Sequence, residues 1–263
     1  MVTQTLRIAS RERAYVGARG RDAADYLQRM VSNDVEALAV GEACDALLLT
    51  AKARVIAPVR VWRRGEEDFL VLTEPELGGV LLATLVRTRF AAKVELALEE
   101  HRSTIVFGGT EGIPTRDYGE PAVEALDAEP AGEPLGPDEL ELLRIEAGTP
   151  AWGKELDERI LPAEAGLEAT HISFTKGCYP GQEPVARLHY RGHANREVRR
   201  LELDAGELPA YDAELSIEDK VVGRVTSAVR RPDGSVAALG YVRTEVPGDA
   251  LLSVAGQPAR QRA

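Results

Sequence analysis

The run Lys176-Gly177-Cys178-Tyr179-Pro180-Gly181-Gln182-Glu183 gathers an ammonium, a thiol, an amide and a carboxylate within eight residues, two of them glycine. Glycine tolerates positive φ and lets another group approach the main chain closely. Polar side chains at this density make a poor core segment, so the run reads as a turn that presents Cys178 and Gln182. Lys176 lies two residues before the thiol, and a short helix is expected to begin near Gln182 or Glu183. A cation and a helix N-terminus are the surroundings in which a cysteine becomes reactive. A buried structural role is the commoner fate of a free thiol, but the glycines and polar neighbours weigh against it for Cys178. Cys44, at the head of an apolar run, takes that structural reading.

Other groups are weaker as chemistry. His171 or His189 would be the base of a Cys–His hydrolase, but no spacing ties either to Cys178. His189 and His193 stand four apart, which clamps a metal only on one helix face; Arg191-Gly192 interrupts such a helix and no second ligand pair exists. Glu146, in Arg144-Ile145-Glu146-Ala147-Gly148 at the end of an apolar helix, suits a planar amidine-like edge such as that of a pterin. It suits an arginine of the same chain equally well. Asn33 and Asp34 follow a helix, where capping or a turn is the default role. Arginine is dense at Arg187, Arg191, Arg196, Arg199 and Arg200. That leaves room for one anionic ligand, against the plainer reading of a solvated basic face.

The elements that must position these groups follow from periodicity. Residues 22–31 read as a helix capped by Asp22, with Leu27, Met30 and Val31 at helical spacing. Strands are expected at 46–49, 55–62 and 68–72. Thr73-Glu74-Pro75-Glu76 matches a capping box with proline in the first turn and predicts a helix to about Phe90. Further strands are expected at 94–98 and 103–107. From 110 to 136 the chain is acidic and proline-dotted and reads mostly as surface connection, with one strand near 122–126. Residues 137–147 predict a helix ended by Gly148. Beyond about Asn195 the pattern is strand-like, at 201–203, 215–217, 221–229 and 237–242, with a turn at Pro232-Asp233-Gly234.

Composition bounds the rest. A chain of 263 residues suggests two or three compact units. Arg7, Arg11, Glu12 and Arg13 interrupt any apolar leader, and no apolar stretch approaches the ~20 residues of a membrane span, so a cytoplasmic location without membrane partners is expected. Lys and Arg number 32 against 43 Asp and Glu, a net charge of −11 that disfavours a broad nucleic-acid surface. Two cysteines in such a protein are expected to stay reduced.

The cysteine motif, continued by Val185-Ala186-Arg187-Leu188, resembles the signature of the YgfZ-like folate-binding proteins, relatives of the glycine-cleavage aminomethyltransferase (T-protein). Residues 31–35, 48–55 and 144–148, Glu155-Leu156-Asp157 and the run 162–167 fit the same pattern in order and spacing. The resemblance implies an α+β fold in three domains. A discontinuous first domain (1–45 plus 110–194) would carry the folate site and cysteine motif, an inserted ferredoxin-like α+β unit would span 46–109, and a small antiparallel β-barrel 195–263. It implies tetrahydrofolate or a one-carbon derivative as cofactor, with Glu146 holding the pterin and Asn33, Asp34, Tyr179 and Arg187 beside it. Cys178, Lys176 and Gln182 would form the reactive end.

The departures bear on activity. The transferases carry an aspartate pair where this chain has Ala57 and Pro58, neither of which can move a proton. The transferase arginine near the reacting centre aligns with Gln182. The resemblance thus implies a folate-binding accessory protein that supports iron–sulfur cluster assembly or repair in client enzymes. The alternatives are a folate-dependent aminomethyl- or methyltransferase with a changed substrate, and a non-catalytic scaffold.

Overall fold

The computed structural model describes residues 5–262. Two short strands, β1 (Arg7–Ser10) and β2 (Ala14–Arg19), lead into helix α1 (Ala23–Met30), followed by β3 (Ala43–Leu49), β4 (Val55–Gly65) and β5 (Asp68–Thr73). A 3₁₀ turn, Pro75–Leu77, precedes α2 (Gly78–Thr88). Next come β6 (Glu95–Glu99), β7 (Ser103–Phe107), β8 (Ile113–Thr115), β9 (Ala122–Leu126) and β10 (Glu133–Pro134). Helices α3 (Pro137–Ala147), α4 (Glu168–His171) and α5 (Gln182–Arg191) connect these to β11 (Arg196–Leu203), β12 (Glu214–Ile217), β13 (Lys220–Arg230), β14 (Val236–Arg243), β15 (Leu252–Val254) and β16 (Gln257–Arg262). Among the described residues no helix is long and apolar enough to cross a membrane.

Three sheets organise the chain. One runs β3-β4-β5-β2-β6, another β10-β1-β7-β9-β8, and β11-β14-β13-β12-β15-β16 close into a barrel. Helices α1 and α2 cover one face of the first sheet. Ala23, Tyr26 and Leu27 of α1 and Leu81 and Leu85 of α2 pack on Ala57, Val59 and Val61 of β4. Side chains alternate across a strand, so Pro58 and Arg60 face the other way, towards the second sheet and α3. The barrel interior is aliphatic, with Leu201, Leu215, Val225, Val242 and Leu252 at its centre. It docks on α3 through Ile145, Val229 and Leu239.

Several sequence expectations need revising. Strand pairing crosses the expected boundary between residues 45 and 46, because β3 spans it and β2 lies in the same sheet, paired with β5 and β6. Residues 110–136 are not mainly a surface connection: β8 and β9 pair on the second sheet, β10 on its far edge, and Glu124 is fully buried. The capping box at Thr73 does not form, because the Thr73 hydroxyl donates 2.7 Å to the Pro58 carbonyl and leaves the helix start to the 3₁₀ turn. Asp22 likewise makes no side-chain cap and instead accepts from the Lys93 amide at 2.6 Å. Gly148 ends α3 at φ 74, as a glycine cap requires.

Candidate functional site

The cysteine motif is held at both ends. At its start, the Lys176 ammonium is buried and donates to the carbonyls of Gln28, Val31 and Asn33 at 2.6, 2.8 and 2.6 Å. These lie at and beyond the C-terminal turn of α1, where carbonyls lack helical partners and the helix dipole favours a cation. Burial pulls the Lys176 pKa down to about 8, with Asp34 acting against it. The lysine thus forms a strut between the motif and α1. The thiol whose titration it influences is Cys44, pushed up to about 12 chiefly by burial and then by Asp45.

Gly181 ties down the other end. It has φ 84 and stands before α5, and a Cβ there would lie 2.6 Å from the Thr50 carbonyl and 3.1 Å from the Ala53 Cα. Only glycine satisfies both the positive φ and the contact. The turn at 50–54 consequently packs against the start of α5. Tyr179 is buried in a cluster with Leu47, Leu49, Val185 and Tyr241, its hydroxyl pushed up to about 12 by burial. Cys178 is exposed, and Gln182 is half-buried as the first residue of α5.

A cavity of about 320 Å³ opens elsewhere, where β4, the second sheet and α3 meet. That volume is within the range of small-molecule sites. Its walls include Pro58, Arg60, Asp45, Asp117, Leu140 and His171. Behind them runs an ion-pair network. The Arg60 Nε donates to Asp45 at 2.7 Å and its Nη2 to Asp117 at 2.9 Å, while Arg13 bridges Asp117, Glu124 and Glu74. The two guanidiniums outweigh the burial of Asp117 and hold its carboxyl well below the usual range. Burial lowers the His171 pKa and keeps its imidazole neutral. The Arg60 Nη1 is buried without a hydrogen-bond partner, as is the Arg11 Nε. On α3, Glu141 faces the cavity and accepts from Arg144 and Lys154. Arg144 continues to the fully buried Glu155, which also accepts from Ser227 at 2.6 Å.

None of the eight residues that the resemblance assigns to the folate site and the reactive end lines this cavity. Glu146 projects from the other side of α3 and accepts from the Arg231 Nε at 2.8 Å, with 44 % of its side chain exposed. This is an intramolecular arginine pair of the kind the sequence also allowed. Asn33 donates to the carbonyls of Asp45 and Thr170, and Asp34 accepts from Gln28 and the Ala37 amide, so both shape the loop after α1. Arg187 lies on α5 in a separate cleft with Lys52 and Arg191. His171, considered as a base, does reach the cavity but is not joined there by Cys178.

The residues that do surround the cavity went unread because their partners are remote: Arg13 and Glu124 are 111 positions apart. A signal existed nonetheless. Arg60 interrupts Val55-Ile56-Ala57-Pro58-Val59 and Glu124 interrupts Ala122-Val123, and a lone charge inside a buried strand needs a partner. Among the described residues no group of three or more His, Cys, Asp or Glu is arranged to hold a metal ion.

Known proteins resemble this arrangement at two levels. No family model matches the chain. The tRNA-modifying protein YgfZ of Yersinia pestis (strain Pestoides F) is 28% identical over 285 residues, covering 92% of this chain and 85% of that protein. The protein of the same name from Serratia proteamaculans is 27% identical over 292 residues, covering 95% and 88%. The Edwardsiella ictaluri protein reaches 39% over a shorter stretch of 117 residues, 43% of this chain and 35% of its own. Among solved structures, the glycine cleavage system aminomethyltransferase T from Bartonella henselae superposes with a TM-score of 0.83 at 18% identity, covering 98% of this chain and 84% of that one. The resemblance carried by the cysteine motif thus extends over nearly the whole chain, whose sequence is similar to that of the YgfZ proteins and whose fold is similar to that of the aminomethyltransferase.

Proposed function

We propose that the protein is a tetrahydrofolate-binding accessory factor whose central cavity receives the pterin ring, and that it supports iron–sulfur client enzymes without itself transferring the one-carbon unit. The observation that carries the reading is the cavity wall. Pro58 occupies the strand position that faces the cavity, while Ala57 faces the apolar core. A carboxylate of the transferase kind is therefore replaced by a ring that neither accepts nor donates a proton.

The residues present fit a heterocycle with mixed donor and acceptor edges. The Arg60 Nη1, which makes no hydrogen bond and lies 3.7 Å from the Glu124 Oε2, can donate to a ring carbonyl. Asp45, one oxygen of which accepts from Arg60, can accept from an amino group, and Leu140 and Pro58 offer apolar walls. Reduced folate would supply a carrier for one-carbon units. The cavity's side chains hold and orient it. In this reading Glu146 is not the pterin ligand, because Arg231 already engages it away from the cavity. Cys178, exposed on a turn fixed by Lys176 and Gly181, is placed to meet a partner protein rather than the cavity contents. The relatives are named tRNA-modifying proteins, so the clients proposed are cytoplasmic enzymes of tRNA modification.

Calorimetry with tetrahydrofolate tests the reading. Wild type and Glu146→Gln should bind alike, and Leu140→Trp, which fills the cavity, should abolish binding. Undiminished binding by Leu140→Trp would remove the cavity assignment. Cys178→Ala should bind folate normally yet fail to restore client-enzyme activity in a deletion strain, and full restoration would reject a role for the thiol. One observation favours a second reading. The neutral His171 in the cavity wall is a base of the right kind for an altered transferase. Turnover of methylene-tetrahydrofolate with an amine, lost in His171→Ala, would establish it.

A further inference from the structure

The arginine-rich stretch after the cysteine motif separates into two groups in the structure. Arg196 pairs with Glu164 at 3.0 Å, Arg199 pairs with Glu197 at 2.8 Å, and Arg200 donates to the Glu146 carbonyl at 2.9 Å. Arg187 and Arg191 have no ion-pair partner among the described residues, and neither does Lys52. These three, with Arg54, rim one cleft of about 410 Å³ between the turn at 50–54 and α5.

The cleft is amphipathic. Pro184, Arg187, Leu188 and Arg191 recur at helical spacing and present one face of α5. Leu161, Pro162 and Val185 supply apolar floor, and Glu168 is the single acidic lining residue. Glu168 lies 3.6 Å from the His189 Nδ1, which belongs to an aromatic cluster outside the cleft lining. There the His189 ring stacks on Phe174 with centroids 4.0 Å apart, and Tyr190, 67% exposed, meets both edge-on. The cleft's two walls are locked together, because Gly181 lies against the Thr50 carbonyl. Unpaired cations over an apolar floor match what a phosphate and an adjoining planar base require.

We propose that this cleft binds a nucleoside phosphate, its phosphate on Lys52, Arg187 and Arg191 and its base against the apolar floor of Leu161, Pro162 and Val185. None of these residues lines the central cavity, so the proposal is independent of folate binding. The ligand chemistry is that of a free nucleotide or of one unit in a single strand of RNA. A local site of this kind is compatible with a net charge of −11, which works against a long basic track.

Calorimetry with AMP, adenosine and inorganic phosphate, and fluorescence anisotropy with a labelled single-stranded oligoribonucleotide, test it on the full chain. AMP or the oligonucleotide should bind saturably, and whichever binds more tightly identifies the source. Adenosine should bind at least tenfold more weakly than AMP. The double variant Arg187→Glu/Arg191→Glu should lose at least tenfold in affinity while keeping tetrahydrofolate binding. Lys52→Glu, on the opposite wall and outside α5, should lose affinity in the same direction and guards against a folding defect in the helix variant. Failure of both AMP and the oligonucleotide to bind, or equal binding by wild type and both charge-reversal variants, would overturn the proposal.

Discussion

The central cavity and the α5 cleft are both rich in arginine, yet they treat the charge in opposite ways. In the cavity Arg13 and Arg60 are buried and each meets two or more carboxylates, so the network is electrically satisfied and its geometry fixed. In the cleft Arg187 and Arg191 have no carboxylate partner among the described residues. Buried ion pairs are costly to break, because removing one partner leaves the other charge buried and uncompensated. Unpaired surface cations cost little to remove and are free to meet an anion. The first arrangement suits a preformed pocket for an uncharged ring, the second a site completed by its ligand.

The widest separation should come from removing one arginine from each region. Arg60→Leu leaves Asp45 and Asp117 without their main partner and should destabilise the fold by ~3–5 kcal/mol. Arg187→Leu should fall within ~0.5 kcal/mol of wild type. Urea denaturation of the two variants measures both, and similar values would erase the distinction between the regions. Lys176 tests an intermediate case, a cation satisfied by carbonyls alone. Lys176→Met leaves three carbonyls without their donor and should cost at least ~1–3 kcal/mol by the same assay. A neutral outcome would return Lys176 to the pool of functional candidates.

A sharper probe of the cleft is the glycine contact that joins its walls. Gly181→Ala forces a side chain into left-handed backbone, at ~1–2 kcal/mol, and drives a methyl against the Thr50 carbonyl. It should therefore lower stability and weaken AMP binding together, while tetrahydrofolate binding persists. Loss of folate binding alone would mean that the motif serves the cavity after all.

The smallest effect concerns pH. Burial works against the charge on His101, but hydrogen bonds to Asp127 at 2.6 Å and Glu99 at 3.0 Å outweigh it and raise its pKa above the usual 6.5. A raised folded value means that the stabilisation is fully present below pH ~6.5 and fades as pH climbs through the folded pKa. Melting temperatures from pH 5.5 to 8.5 should fall more steeply for wild type than for His101→Asn. Parallel curves would show that the histidine contributes nothing.

The sequence made some of this plain and concealed the rest for physical reasons. Helix α3 was legible from Leu140, Leu143 and Ala147 and its glycine cap, and the central strands from their valines. Strands β15 and β16 were not, since β16 buries only Ala259 and is defined by pairing with β11 and β15 rather than by its own pattern. Strand β2 is buried at four successive positions and lacks alternation. The cysteine motif identified the relatives correctly. It said nothing of the cavity, whose walls come from β1, β4, the 117–118 turn and α3 and whose charges pair across more than a hundred residues. At Glu146 the proposed reading departs from the role that the motif implies. Standing two residues past Arg144 on α3 turns its side chain towards Arg231 and away from the cavity.

A crystal structure of the protein grown with tetrahydrofolate tests the central claim most directly. The pterin ring should lie between Pro58 and Leu140, bonded to Asp45 and the Arg60 Nη1, with Glu146 still on Arg231. A ring seated against Glu146 and Arg231, with only water in the central cavity, would contradict it.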